Sequence, residues 1–303
     1  MKARSRPAFT VFQLLVLVSL LALLFSLFLP AVAKIRAAAN RASSQNNLKQ
    51  LGLAAHNYYD TIKALPPGNN VNNFSAAAHL LPYLEQDNVF NIIDFNKPID
   101  DKANAAPRAI QIRTFLSPRD PIKTVVNDYG ATNYLFCAGS KPSLKDNDGM
   151  CYQDSKITFD KIKDGTSNTV MAGETLKGDG GTKALDVRRQ HVALDKDALK
   201  NLKDESGVQE FKDSKNIAGD RCARWIDGRF LQGTFNSSRT PNDARPDVSC
   251  DGLGGLSALR SLDNSINVLM GDGSVRAISN KITAETWKAL STIAGGEVIG
   301  ADF

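Results

Sequence analysis

The sequence predicts an α+β protein, with a long N-terminal helical stem that crosses a membrane and packs on an exported antiparallel β-sheet domain. Three observations predict it. Residues Pro7 to Ala33 carry no charged side chain and are dense in Leu, Val and Phe. Beyond them Leu48, Leu51, Ala55, Tyr58 and Ile62 recur at spacings of three and four, as one apolar face of a helix does. After Pro66-Pro67-Gly68 the apolar residues come in short runs bounded by Gly, Pro, Asp or Asn, as strands do.

The first of these is long enough for a bilayer, since roughly 20 apolar residues at about 1.5 Å rise span its hydrocarbon core. Lys2, Arg4 and Arg6 precede it, which holds the N-terminus in the cytoplasm and sends the rest outward. A secretory signal peptide is the alternative, with Ala31-Val32-Ala33 as its small-x-small cleavage site. The stem then continues, with Arg36, Arg41, Asn47, Lys49 and Asn57 falling between the apolar positions and expected in solvent. Pro66 and Pro67 must end it, because proline lacks the donor and clashes with the preceding turn. A helix from Phe9 to Thr61 would be about 75 Å long. The expected boundaries are a leader at 1–8, a transmembrane half at 9–33, an exported half of the stem at 34–65 and an exported domain at 66–303.

Within that domain a second helix is expected over Ala76–Asn91. Strands are expected around Ile110–Leu116, Asn133–Ala138, Thr169–Ala172, Phe230–Phe235 and Ile266–Met270. Between Leu176 and Asp220 Lys and Asp alternate, and residues 177–220 read as a polar surface insertion with a helical piece near Asp197–Lys203. Thr283 and Glu285 open a closing helix through Trp287 and Leu290, ended by Gly295-Gly296.

Composition narrows the function. The net charge of +5 comes from scattered residues, without a basic stripe interleaved with aromatics, so nucleic acid is not an expected partner. Cys137, Cys151, Cys222 and Cys250 form no C-x-x-C pair, which argues against a zinc ribbon or redox motif. In an oxidising compartment they allow two disulfides in three pairings, of which the local pairs Cys137–Cys151 and Cys222–Cys250 are favoured.

The sequence carries none of the common metalloprotease, hydrolase or nucleotide motifs, so no enzyme and no cofactor is expected. Of the three histidines, His56 beside the stem's apolar face reads as a packed, hydrogen-bonded residue, more so than as a ligand. Asp164-Gly-Thr-Ser-Asn-Thr and Gly271-Asp-Gly-Ser read as turns. Lys145-Asp-Asn-Asp-Gly-Met offers oxygens to calcium, but its ligand pattern is incomplete and the surface-turn reading is preferred. Tyr83, Tyr134, Trp225 and Trp287 suit either a carbohydrate or peptide groove or ordinary packing.

The basic leader ending in Ala8, followed by Phe9-Thr10-Val11 and an apolar run interrupted by Pro30, resembles the class III signal of type IV prepilins and type II secretion pseudopilins. The resemblance implies cleavage between Ala8 and Phe9 by a membrane prepilin peptidase, methylation of Phe9 and retention of the apolar helix. It places Pro30 where pilins kink. Ala8 stands in place of the usual glycine and Gln13 in place of the usual glutamate.

The body adds Asn46-Asn-Leu-Lys-Gln-Leu-Gly, Leu80-Leu-Pro-Tyr-Leu-Glu-Gln, Thr132-Asn-Tyr, Met171-Ala-Gly-Glu, Trp225-Ile-Asp-Gly, Thr234-Phe-Asn and Asn267-Val-Leu-Met-Gly-Asp-Gly. Together these resemble the domain-of-unknown-function family that follows prepilin-type signals and usually ends in an H-x9-D-G motif. Here Leu262 replaces that histidine, and Ser117 replaces a usual cysteine. The resemblance implies a pilin-like fold and a single-pass protein of the inner membrane, its C-terminal domain periplasmic or extracellular. It also implies a structural or accessory role among pilin-like subunits. A tethered module that binds glycan or protein is the main rival.

Overall fold

A computed structural model describes residues 10–297, 299 and 300, without the side chains of residues 25 and 27. Ala8 and Phe9 lie outside the described residues. The chain forms two compact units, one up to Ala42 and one from Ser43 onward.

The first unit consists of the leading part of helix α1, which runs Val11–Ile62 in all. Its described large apolar side chains, from Val11 and Phe12 to Val32 and Ile35, are exposed. By length and composition this helix can cross a membrane, and a signal sequence passes the same test. Ser19 and Ser26 donate their hydroxyls to the carbonyls of Val16 and Leu23, at 2.8 and 2.7 Å. Those polar groups are thereby satisfied inside the helix, as an apolar surrounding requires. Pro30 lies within the helix, where it removes one backbone donor without ending it.

In the second unit the last turns of α1 become amphipathic. Leu48, Leu51, Ala54 and Ala55 have no exposed surface, Tyr58 is half-buried, and the terminal Ile62 is exposed. Asn47 is not solvated as the spacing suggests: its amide donates to the Leu116 carbonyl at 2.9 Å and to the Tyr134 hydroxyl at 3.3 Å. A Cβ on Gly52 would stand 2.8 Å from a Leu269 methyl and 3.3 Å from the Gly273 Cα. Only glycine lets the helix approach so closely. Lys63 is left-handed, with φ 63°, and the helix stops there, ahead of Pro66.

α1 packs on a five-stranded sheet of order β5-β1-β2-β8-β9. Its strands are β1 (Tyr134–Cys137), β2 (Val170–Glu174), β5 (Thr234–Phe235), β8 (Ser265–Met270) and β9 (Val275–Ser279). The sheet is mixed and not wholly antiparallel, because β5 returns parallel to β1. Alternation sorts its residues. Tyr134, Phe136, Met171 and Leu269 join the core with α1, whereas Leu135, Cys137, Val170, Val268 and Met270 form a second core with Trp287 and Leu290. Trp287 belongs to α6 (Ala284–Ala289), which Thr283 caps by accepting the Thr286 N–H at 3.3 Å.

The polar stretch 177–220 is not a loose insertion. It supplies β3 (His191–Leu194) and β4 (Ile217–Ala218), with a 3-10 turn at Lys196–Asn201 and α5 (Val208–Lys212) between them. With β6 (Asp247–Cys250) and β7 (Gly255–Leu256) these strands build a second sheet of order β4-β3-β6-β7, in which β3 and β6 run parallel.

The helix expected over 76–91 is broken into α2 (Ala76–His79), a 3-10 turn at Leu81–Leu84 and α3 (Asp87–Phe90). Pro82 removes a donor there, and Glu85 turns left-handed at φ 59°. A further short helix, α4, covers Ala105–Ala109. The stretch 110–116 forms a 3-10 turn, Arg113–Phe115, in place of the expected strand.

Candidate functional site

The segments that carry the sequence resemblance converge where the base of α1 meets the sheet. Ser44 and Asn47 on the helix reach the Tyr134 hydroxyl, and Gln45 donates to the Asn267 side-chain oxygen at 3.3 Å. The Asn267 amide in turn donates to Glu174 Oε2 at 2.7 Å. Glu174 also accepts from the Ser117 hydroxyl at 2.5 Å and from Arg119 at 2.9 Å. A serine beside a carboxylate is the beginning of a nucleophile–base pair. Here both groups are buried and three donors occupy the carboxylate, so the cluster fastens the seam.

Beside it lies a second buried cluster. Asp120 accepts from the Asn133 amide at 2.9 Å and the Lys177 N–H at 2.8 Å, and pairs with Arg189 at 3.1 Å. Burial alone would raise the Asp120 pKa, but Lys177, Asn133 and Arg189 outweigh it and hold the carboxyl below its ordinary value. Lys177 is shifted downward by its own burial. Further on, Asp247 pairs with Arg221 and Arg260, both at 2.5 Å, with all three side chains fully buried. These pairs tie the two sheets together, since Arg221 also donates to Thr175, the residue after β2, and Asp247 opens β6. A buried charge of this kind is costly to leave unpaired.

The expected turns are present. Gly273 has φ 82°, and its N–H closes on the Met270 carbonyl at 3.0 Å. Asp164 accepts the Gly295 and Gly296 N–H groups at 2.8 and 3.0 Å, while Asn168 bonds back to the Asp164 carbonyl at 3.1 Å. His56 is packed as expected, 3.0 Å from the Gly271 carbonyl and stacked on Phe159. In the Lys145–Met150 loop, Asp148 accepts from the Ser140 N–H and hydroxyl at 2.6 and 2.8 Å, and Asn147 braces Lys141 and Ser143.

Of the two readings of the aromatic residues, packing holds for three: Tyr134, Trp225 and Trp287 are core residues, and the Trp225 indole donates to the Ile110 carbonyl at 2.7 Å.

The two expected disulfides are not formed: all four cysteines are free and buried. The Cys151 N–H donates to the Cys137 carbonyl at 2.9 Å, yet Cys137 faces the α6 core and Cys151 the α1 core. Cys222 and Cys250 sit in separate apolar clusters. Burial pushes the Cys137 thiol up to about 12 and those of Cys222 and Cys250 up to about 11. Thiolate is therefore scarce, and the thiols are slow to react even where the surroundings oxidise.

Gln13 has a partner within its own chain. Its side-chain oxygen accepts the Thr10 N–H at 3.0 Å, while the Thr10 hydroxyl accepts the Gln13 N–H at 3.3 Å. This is a capping box, legible in the pattern Thr-x-x-Gln before an apolar run.

Residues 33–285 match the family model described as Protein of unknown function (DUF1559). The chain belongs to that family. No curated protein and no solved structure matches it. Within the DUF1559 stretch, the two departures noted in the sequence have definite settings. Leu262 is about half exposed, just ahead of β8. Ser117 uses its hydroxyl on Glu174.

Proposed function

We propose that the chain is a membrane-anchored, pseudopilin-like structural or accessory subunit of a type II secretion or type IV pilus-like assembly, in a minor or capping position. The observation that carries this is the change of character along α1. Its leading part exposes apolar side chains, while its final turns are the buried strut of the domain. A helix of that form suits lipid and like helices at one end and a folded head at the other.

In this reading prepilin peptidase removes residues 1–8, Phe9 is methylated, and the domain stands outside the inner membrane. Gln13 supports the capping position. It has no charge with which to neutralise a neighbour's N-terminus, and its oxygen already closes the cap on Thr10. The work is then assembly, without catalysis. Quantitative proteomics of sheared surface filaments tests it: the chain is expected to be scarce beside any glutamate-bearing pilin. Finding it as the most abundant filament subunit would overturn the capping position.

A second reading, a tethered module for glycan or protein, draws support from the polar pocket on the four-stranded sheet.

A further inference from the structure

The four-stranded sheet has two unlike faces. Val192 pairs in register with Val248, and Val248 and Cys250 turn to an apolar cluster. On the other face Ala193 pairs with Ser249, and beside them opens a cavity of about 250 Å³. We propose that this pocket binds an acidic monosaccharide of the hexuronate class, a pyranose carrying one carboxylate.

The donors point to the carboxylate. Arg224 approaches Asp220 at 3.5 Å and Asp227 at 3.7 Å, both longer than an ordinary hydrogen bond of about 2.7–3.2 Å. Its buried Nε finds no hydrogen-bond partner among the described residues. The neighbouring Arg229 is occupied, holding Asp227 at 2.7 to 3.0 Å and reaching Asp100 at 3.3 Å. The pocket wall thus keeps one planar guanidinium whose fork matches a carboxylate.

The acceptors point to hydroxyls. Asp220 takes only a long bond from Gln232, at 3.3 Å, and stands 3.7 Å from His191 Nε2. Asp251 uses Oδ2 on the Lys196 N–H at 2.9 Å. His191 is 4% exposed, and its Nδ1 is a second buried atom without a partner. Burial keeps that ring neutral, so it offers a donor and an acceptor at once.

Charge excludes the simpler ligands. A bare inorganic anion brings no hydroxyl donors for Asp220 and Asp251, and a neutral sugar brings no acceptor charge for Arg224, which holds its own carboxylates only at 3.5 and 3.7 Å. A ligand with one carboxylate and several hydroxyls satisfies both sets. Ala193, Ala218 and Gly252 add a wall of small side chains against which the C–H face of a pyranose can lie.

This site is independent of the membrane helix. Its failure would leave the assembly role standing, and the reverse holds too. The test is isothermal titration calorimetry of the full chain in detergent micelles with D-glucuronate, D-glucose, L-alanine and sulfate. D-Glucuronate is expected to bind at least about tenfold more tightly than any of the other three, a difference of about 1.4 kcal/mol. Arg224→Gln should abolish the preference for glucuronate over glucose, with its thermal melt showing that it folds. Asp251→Asn should weaken both sugars. Equal binding of glucuronate and glucose, or tighter binding of alanine or sulfate, overturns the proposal on the unsubstituted chain alone. So does an Arg224→Gln protein that folds and keeps the preference.

Discussion

The two parts of α1 share one backbone conformation and differ in everything their side chains meet. From Val11 to Ala33 the helix carries no charged residue, and its described large apolar side chains are exposed. From Ser43 to Ile62 the apolar residues gather on one face, Gly52 appears at the point of closest approach, and Ser44, Gln45 and Asn47 fasten polar groups of the sheet. A helix that is apolar all round has no preferred partner face in water and belongs in a medium that is apolar all round. One with a stripe belongs on a domain.

Truncation should separate the two parts most sharply. Leu51→Ala removes a fully buried side chain from the α1 core and is expected to cost about 2–5 kcal/mol of domain stability. Leu20→Ala, in the exposed part, should leave the domain's melting unchanged. Denaturant titration of the full chain in micelles reads both. Equal effects would erase the comparison.

Acid should act on the packed region alone. Burial lowers His79 to about 4, and the ring stacks on Phe95, 5.3 Å away. The unfolded chain takes up this proton near the ordinary value of about 6.5, ahead of the folded one. Stability from this residue is therefore complete above about pH 6.5 and falls as the pH drops towards 4, by up to about 3 kcal/mol. His79→Phe keeps the ring and should make that slope shallower, leaving the share that comes from the buried His191; melting curves across the range check it.

A charge tests the leading part directly. Leu20→Arg is expected to cost about 2.5–3.5 kcal/mol of membrane insertion, seen as loss from the membrane fraction. Leu53→Arg, on the exposed side of the packed part, should change neither fractionation nor melting. The smallest effect is at the cap. Thr10→Ala should fray the first turn at a cost of about 0.5–2 kcal/mol, visible as faster amide exchange there and nowhere in the sheet.

Period and punctuation made the stem, its end near Pro66, four of the five proposed strands and the α6 cap legible in the sequence. Each depends on residues close together in the chain. What was hidden depends on residues far apart. Asp120 and Lys177 are both polar and look like surface residues until the fold closes them on one another. The same holds for Arg221, Asp247 and Arg260, and the apparent polar insertion before them supplies two strands of the second sheet. Cys137 and Cys151 misled for the opposite reason. They are near in sequence and share a backbone hydrogen bond, but their side chains lie in different cores. The pocket lined by His191, Asp220, Arg224 and Asp251 had no signal at all, because four separate segments contribute to it.

The central claim is that the apolar half of α1 stays on the mature protein as its anchor. N-terminal peptide mass spectrometry of the chain isolated from native membranes tests it most directly. The account predicts a mature chain beginning with N-methylated Phe9. A chain beginning after Ala33, recovered without its apolar helix, would contradict it.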